Sequence, residues 1–411
     1  MNNVNPFDRY QFESLSLKGD LSILSATHEP DNFPHREEQI SRMADAMSSL
    51  LMGMKSTHLI LYGKTGTGKT SVTKFVTSKL SEKIPDRIRV CYINCQNYDS
   101  PYSIMVNIAR TVLGPERIPQ MGWTLDRIYE YLVDGLKGCQ KNIIIVLDEV
   151  DKLVEKNGGD SLYLLLKITD ESQGISGSII GITNDTSFYE KLDPRVRSRL
   201  NKESIVFPPY NSEQLRDILL PRIKAILPED YYDESAVNLC AAIGAQEHGD
   251  ARKAIDLMRV AIELTMRDSA KKITNDYVYK ARDNLEIDIM RETIKTLPTH
   301  SKIVLLSVIL CGEIHPNSAT TGEVSAIYNK LCKQVGITPL TQRRISDYLS
   351  DLEDFGLIST TLKSLGRYGR TRLIRITGRE NDMKRYALED QDLKTLSEIK
   401  QNRQYKLDEN L

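Results

Sequence analysis

No sign of charge prevails in this chain: 55 Lys and Arg stand against 56 Asp and Glu, a formal net charge of -1 over 411 residues. A whole-molecule positive field that draws the protein to nucleic acid is thereby excluded, and any such contact has to come from a local patch. The six cysteines (Cys91, Cys95, Cys139, Cys240, Cys311, Cys332) include no CxxC pair and mostly lie in apolar runs. They read as reduced core side chains, which argues against a zinc site. No stretch approaches the roughly 18 apolar residues of a membrane span, and no basic segment followed by an apolar one opens the chain. A cytoplasmic protein without a membrane partner is expected, long enough for two or three domains with their own cores.

Residues 1–25 are polar and weakly patterned and read as an arm. Over 26–207, short apolar runs alternate with amphipathic stretches: HLILY (58–62), VCYIN (90–94), NIIIVL (142–147), SIIGIT (178–183) and SIVF (204–207). Continuous apolar runs separated by helical patterns predict parallel strands covered on both faces. Pro208 and Pro209 end the last run, and 208–288 reads as a helical bundle. A third domain spans 289–379, with its helical patterns opening near Leu297-Pro298 and a hairpin at about 357–376; 380–411 reads as a charged, fraying tail.

The run HLILY leads directly into GKTGTGKT, that is Gly63, Lys64, Thr65, Gly66, Thr67, Gly68, Lys69 and Thr70, with Ser71 opening the amphipathic stretch behind. This matches GxxxxGK[ST] between a strand and a helix, the context in which glycines let backbone N–H groups face phosphates. Lys69 is expected against the β- and γ-phosphates and Thr70 on Mg²⁺. The run NIIIVLDEVD delivers Asp148 and Glu149 at a strand's C-terminal end, where open α/β sheets bind ligands. Asp148 is expected to hold Mg²⁺ through water, and Glu149 is the candidate to orient or deprotonate the attacking water. The following strand ends in Thr183-Asn184, which puts the Asn184 amide beside the γ-phosphate. TNDT (183–186) departs from the guanine-reading NKxD at its second residue, so ATP or ADP is the expected nucleotide.

In TQRRISDYLSDLEDFGLIS (341–359), Ile345, Leu349, Leu352 and Phe355 share one helical face while Arg343, Asp347 and Ser350 point away, and Gly356 ends the helix. A hairpin follows, so the element reads as a winged helix whose recognition helix enters the major groove. Its acidic C-terminal half (Asp351, Glu353, Asp354) moves base reading to Arg343, Arg344 and Ser346. From Ser359 to Arg379 the positive residues Lys363, Arg367, Arg370, Arg372, Arg375 and Arg379 are interrupted by no acid. With Tyr368 at the tip, Arg367, Arg370 and Arg372 are candidate DNA contacts.

Phosphate loop, acidic strand, strand-terminal Asn, the arginine cluster LDPRVRSRL (192–200) and GDARKAIDLMRVA (249–261), in that order, resemble the archaeal origin-recognition (Orc/Cdc-type) AAA+ replication initiator family over roughly 27–377. The resemblance implies an α/β AAA+ P-loop ATPase core with a helical lid and a C-terminal winged-helix domain. It makes Arg252 the lid arginine reaching the nucleotide in cis, and Arg199 the finger offered to a neighbouring subunit, with Arg195 and Arg197 as rivals. PDNFPHREEQI (30–40) is similar to the segment lying against adenine, which adds Pro30, His35 and Arg36 to the nucleotide set; Tyr210 and Arg222 join it. A helical insertion, here Tyr102 to Leu136, is a second DNA contact in the family. Its tip near Arg117, Pro119, Met121 and Trp123 reads equally as a minor-groove wedge and as a packed loop. The expected function is ATP-dependent recognition of double-stranded origin DNA, with slow hydrolysis as a switch. Other initiator subunits and the replicative helicase are expected partners, and a nucleoid-associated location follows. Competing readings are a signalling ATPase using its winged helix for protein contacts and a clamp-loader subunit, which ends in a helical collar rather than a winged hairpin.

Overall fold

The computed structural model describes residues 17–25, 28–54, 56–139, 142–171, 177–200, 202–314, 319–364 and 370–401. The chain divides into two compact units, Met1–Ala281 and Arg282–Leu411, the division falling inside the helix Asn275–Thr296. No helix among the described residues is long and apolar enough to cross a membrane.

The first unit is built on strands β1 (His58–Tyr62), β2 (Ile88–Asn94), β3 (Asn142–Asp148), β4 (Gly177–Thr183) and β5 (Lys202–Val206). They form a parallel sheet of order β2-β3-β4-β1-β5. Both faces are covered, as continuous apolar runs require. Ile143, Ile145 and Leu147 pack with the helices Pro101–Leu113, Leu125–Cys139 and Asp160–Glu171, while Ile144 and Val146 face Met43, Met47, Val72 and Val76 on the helices Glu37–Met47 and Lys69–Lys83. In register, Tyr62 pairs with Thr183, and Asp148 with Ile182 and Asn94. The phosphate loop after β1, Asp148 of β3 and the end of β4 therefore share the carboxyl edge of the sheet, where such folds bind ligands.

A bundle of the helices Ser212–Ile226, Glu234–Gln246 and Ala251–Arg267 follows, the first opened by Asn211, whose Oδ1 accepts from Gln214 N at 2.8 Å. The arm is ordered where it meets this bundle: Lys18 N donates to Ile226 O at 2.7 Å, and Leu24 is buried in the short turn Leu21–Leu24.

The second unit contains the helices Thr299–Ile314, Thr321–Val335 and Gln342–Asp354 with strands β6 (Ala319–Thr320), β7 (Ile358–Ser364) and β8 (Arg370–Ile376) in an antiparallel sheet of order β6-β8-β7. Two expectations are corrected. The tail does not fray from residue 380: the helix Glu380–Ala387 and the turn Gln391–Gln401 bury Met383, Tyr386, Leu393 and Leu396 in the unit's core. Lys302 Nζ, almost fully buried, fastens this segment by its contact with Asp390 Oδ2 at 2.8 Å. Phe355 does not join Ile345, Leu349 and Leu352 inside; it is the C-cap residue and 56% exposed, because the chain leaves the helical path there and turns at Gly356 with φ +71°.

Candidate nucleotide site and nucleic-acid interface

The loop between β1 and the helix Lys69–Lys83 is shaped by Gly63, Gly66 and Gly68, all at positive φ. Gly68 caps the helix without a side chain, so the first backbone N–H groups stay open to an anion. Gly66 is irreplaceable for a second reason: a Cβ there lies 1.7 Å from Asp250 Oδ1. Asp250 caps the helix Ala251–Arg267 by accepting from Arg252 N at 2.8 Å, and Ala251 N donates to Gly66 O at 3.2 Å. The lid helix thus begins on the phosphate loop itself, which brings Arg252 to the rim of the pocket.

Lys69 lies under the loop and donates to Gly63 O (2.7 Å), Lys64 O (2.8 Å) and Asn184 Oδ1 (2.7 Å). Burial pushes its ammonium down to about 8, against the pull of the Asp148 carboxylate. Thr70 Oγ1 donates to Asp148 Oδ2 at 2.9 Å, and the Tyr92 hydroxyl donates to the same oxygen. A hydroxyl and one carboxylate are hard oxygen donors of the kind Mg²⁺ takes when phosphate oxygens complete its shell. Among the described residues no group of three or more His, Cys, Asp or Glu converges on a metal position. Glu149 follows in the left-handed region at φ 57°, a strained position of a sort that clusters at functional sites.

Beside the loop opens a pocket of about 840 Å³ lined by Pro30, Gly66, Gly68, Thr70, Ser71, Tyr210, Arg222 and Arg252. Phe33, Phe75, Ile218 and Ile255 supply apolar walls, with the two Phe rings 5.2 Å apart; sequence reading missed all four, although Phe33 lies within the adenine-like segment it singled out. His35 and Arg36 do not line the pocket. His35 Nε2 lies 2.8 Å from Asp217 Oδ2. Arg36 is fully buried, stacks 3.8 Å from the Tyr210 ring centroid and donates to Thr67 O (2.9 Å) and Pro208 O (2.7 Å), bracing loop and wall from behind. Thr67 Oγ1 donates to Lys64 O at 2.9 Å, while Lys64 and Thr65 are exposed. Asp151, also missed, is buried beside this edge with Oδ1 lacking a hydrogen-bond partner.

The three cluster arginines lie outside the nucleotide pocket. Arg195 contacts Asp193 and Asp160, Arg197 Nε donates to Leu192 O at 2.7 Å, and Arg199 lies 4.9 Å over the Tyr163 ring. The tip of the insertion is partly packed and partly exposed. Ile118 is buried and its carbonyl accepts from Arg110 Nη1 at 2.7 Å, and Trp123 stacks with Arg127 at 4.3 Å, whereas Arg117 and Met121 are exposed.

Arg343 and Arg344 are exposed on the first turn of Gln342–Asp354, and Ser346 is half-buried behind them. Arg372 Nη1 donates to Ser350 Oγ at 3.1 Å, tying the wing to this helix; Glu353 accepts from Thr360 N and Oγ1 at 2.8 and 2.7 Å, a second tie. Arg367 and Tyr368 lie outside the described residues, and Arg370 opens β8 opposite Ser364.

A parallel-sheet nucleotide core with a complete phosphate loop, a helical lid and a winged helix defines an AAA+ ATPase carrying a C-terminal winged-helix domain. Family models agree: an AAA domain matches residues 53–186, a Cdc6 AAA+ ATPase-type lid domain 216–283, and a CDC6 C-terminal winged helix domain 292–386. The chain belongs to the family of ORC1-type DNA replication proteins. It is 50% identical to such a protein of Thermoplasma volcanium over 98% of this chain and 99% of that one, and 42% identical to one of Thermococcus onnurineus over 98% of each. The structure of the Aeropyrum pernix ORC1 protein in complex with DNA superposes with a TM-score of 0.79 at 37% identity, covering 92% of this chain and 98% of that one.

Proposed function

We propose that this protein is an ATP-dependent initiator that recognises origin duplex DNA, acts with other initiator subunits, helps load the replicative helicase, and uses slow ATP hydrolysis as its switch. In this reading Lys69 holds the β- and γ-phosphates, Thr70 and Asp148 hold Mg²⁺, and Arg252 reaches the nucleotide from the lid. Bound Mg²⁺ supplies charge neutralisation on the phosphate oxygens. Glu149 takes the proton of the attacking water, Asn184 orients that water, and Arg199 serves a neighbouring subunit's site. The adjoining pocket accepts adenine between Phe33, Phe75 and Ile255. Arg343, Arg344 and Ser346 read base edges; Arg367, Tyr368, Arg370 and Arg372 hold phosphates, with Arg117 a separate contact.

The observation that carries the reading is the tie between exposed recognition-helix arginines and a one-signed wing through Arg372 and Ser350. The DNA complex of the Aeropyrum pernix relative supports it. Fluorescence anisotropy of the full chain on origin and scrambled duplexes, with ATP, with ADP and without nucleotide, is the test. Tighter binding to origin duplex that responds to nucleotide is expected; equal, nucleotide-independent binding or none defeats the reading.

A further inference from the structure

We infer that Tyr92 is a positioning residue for Mg²⁺: it fixes the Asp148 carboxylate so that Asp148 and Thr70 meet the cation as one preset pair. The inference rests on the nucleotide reading above and deepens it by a residue outside the phosphate loop and the acidic strand.

The sheet register brings the phenol there. Asn94 pairs with Asp148 and Tyr92 with Val146, so Tyr92 lies diagonally one same-face pair short of the carboxylate. Its hydroxyl donates to Asp148 Oδ2, the oxygen to which Thr70 Oγ1 also donates at 2.9 Å. One carboxylate oxygen accepts two such bonds, and the two donors come from different elements, β2 and the helix Lys69–Lys83. Turning the carboxylate about its terminal bond would break both bonds. Thr70 can keep donating its proton to Asp148 while its oxygen lone pairs face the cation. Ring packing fixes the tyrosine in turn: it lies half-buried against the core that includes Val76 and Val146, and Lys74 Nζ stands 5.7 Å from its ring centroid. Partners that orient a metal's ligands in this way tune affinity strongly, their loss commonly weakening metal binding 10- to 100-fold, or roughly tenfold at the lower end.

Tyr92→Phe keeps the ring and removes only the donor. Wild type and variant, both full-length, are titrated with a fluorescent N-methylanthraniloyl ADP in EDTA and at rising MgCl₂. In EDTA the two are expected to bind alike. The MgCl₂ concentration that half-maximally tightens binding should rise by roughly tenfold in the variant. An unchanged half-point overturns the inference. So does an equal loss of affinity with and without Mg²⁺, which marks a general structural role, and unfolding midpoints without ligand detect a damaged fold directly. If nucleotide binding by the wild type itself ignores Mg²⁺, the assignment of Thr70 and Asp148 fails first and takes the inference with it.

Discussion

Lys69 Nζ lies 2.7 Å from Asn184 Oδ1, so the phosphate-loop lysine is held by the residue that follows the neighbouring strand β4. The two have separable roles. Lys69→Ala removes the charge proposed to meet the β- and γ-phosphates and should abolish nucleotide binding in equilibrium titrations. Asn184→Ala should leave ADP affinity within about threefold, because the lysine keeps two backbone acceptors, yet slow single-turnover hydrolysis by about 100-fold through loss of an oriented donor.

Nucleotide binding should take up a proton above pH 8. Burial holds Lys69 at about 8 instead of the usual 10.5, and phosphates favour its charged form, so binding raises its pKa. The affinity for ADP should fall as pH climbs from 8 toward 10, by up to about tenfold per unit. The sign for stability is the opposite: the unfolded chain holds this proton more tightly, so the empty protein gains stability over the same range. Calorimetry in buffers of different ionisation enthalpy measures the uptake, which should be near zero at pH 7.

Glu149→Gln leaves the Asp148–Thr70 pair intact and should keep Mg·ATP bound while stopping turnover. Filter assays of bound ATP beside phosphate release decide this; hydrolysis at the wild-type rate strips Glu149 of its role.

Wing and helix should differ in what they read. Arg370→Ala should weaken origin and random duplex about equally and lower the salt slope by roughly one unit. Arg343→Ala should cost about 1–3 kcal/mol on the preferred site and much less on random DNA. Titrations of both variants on both duplexes at several salt concentrations separate them, and a site-specific loss in Arg370→Ala makes the wing a base reader.

Removing Asp390 leaves Lys302 charged in a nearly closed environment. Asp390→Ala should destabilise the C-terminal unit by about 2 kcal/mol at neutral pH, less than for a fully enclosed pair. Lys302 holds the Asp390 carboxyl below its usual 3.8, so the contribution is present above that value and lost as pH falls below it. Urea unfolding of both proteins at pH 7 and pH 3 should show the gap close.

The parallel sheet was legible because strands covered on both faces leave unbroken apolar runs. The edge strands β2 and β5 each start two residues earlier than read and β4 one; in β2 the exposed Arg89 interrupts the apolar pattern. The phosphate loop was legible because its spacing is a backbone requirement. What periodicity conceals is contact made across elements. Tyr92 reaches Asp148 only because β2 lies beside β3, an adjacency that strand patterns do not specify. Arg36 sits in the segment read as a nucleotide contact, but its guanidinium turns inward to backbone carbonyls. The tail was misread because charges dominate its composition, while four well-spaced apolar residues decide its fate.

Those four residues also set a timetable. Met383, Tyr386, Leu393 and Leu396 complete the core of the winged-helix unit, yet they follow the wing in the chain. A ribosome adding about 5–20 residues per second needs roughly one to four seconds to pass from Ile376 to Leu396. Through that interval the recognition helix and hairpin have been made but their core is open, whereas the first unit, with its nucleotide loop, has already been synthesised in full. A nascent chain can therefore assemble its ATP site before it can present a finished surface to DNA.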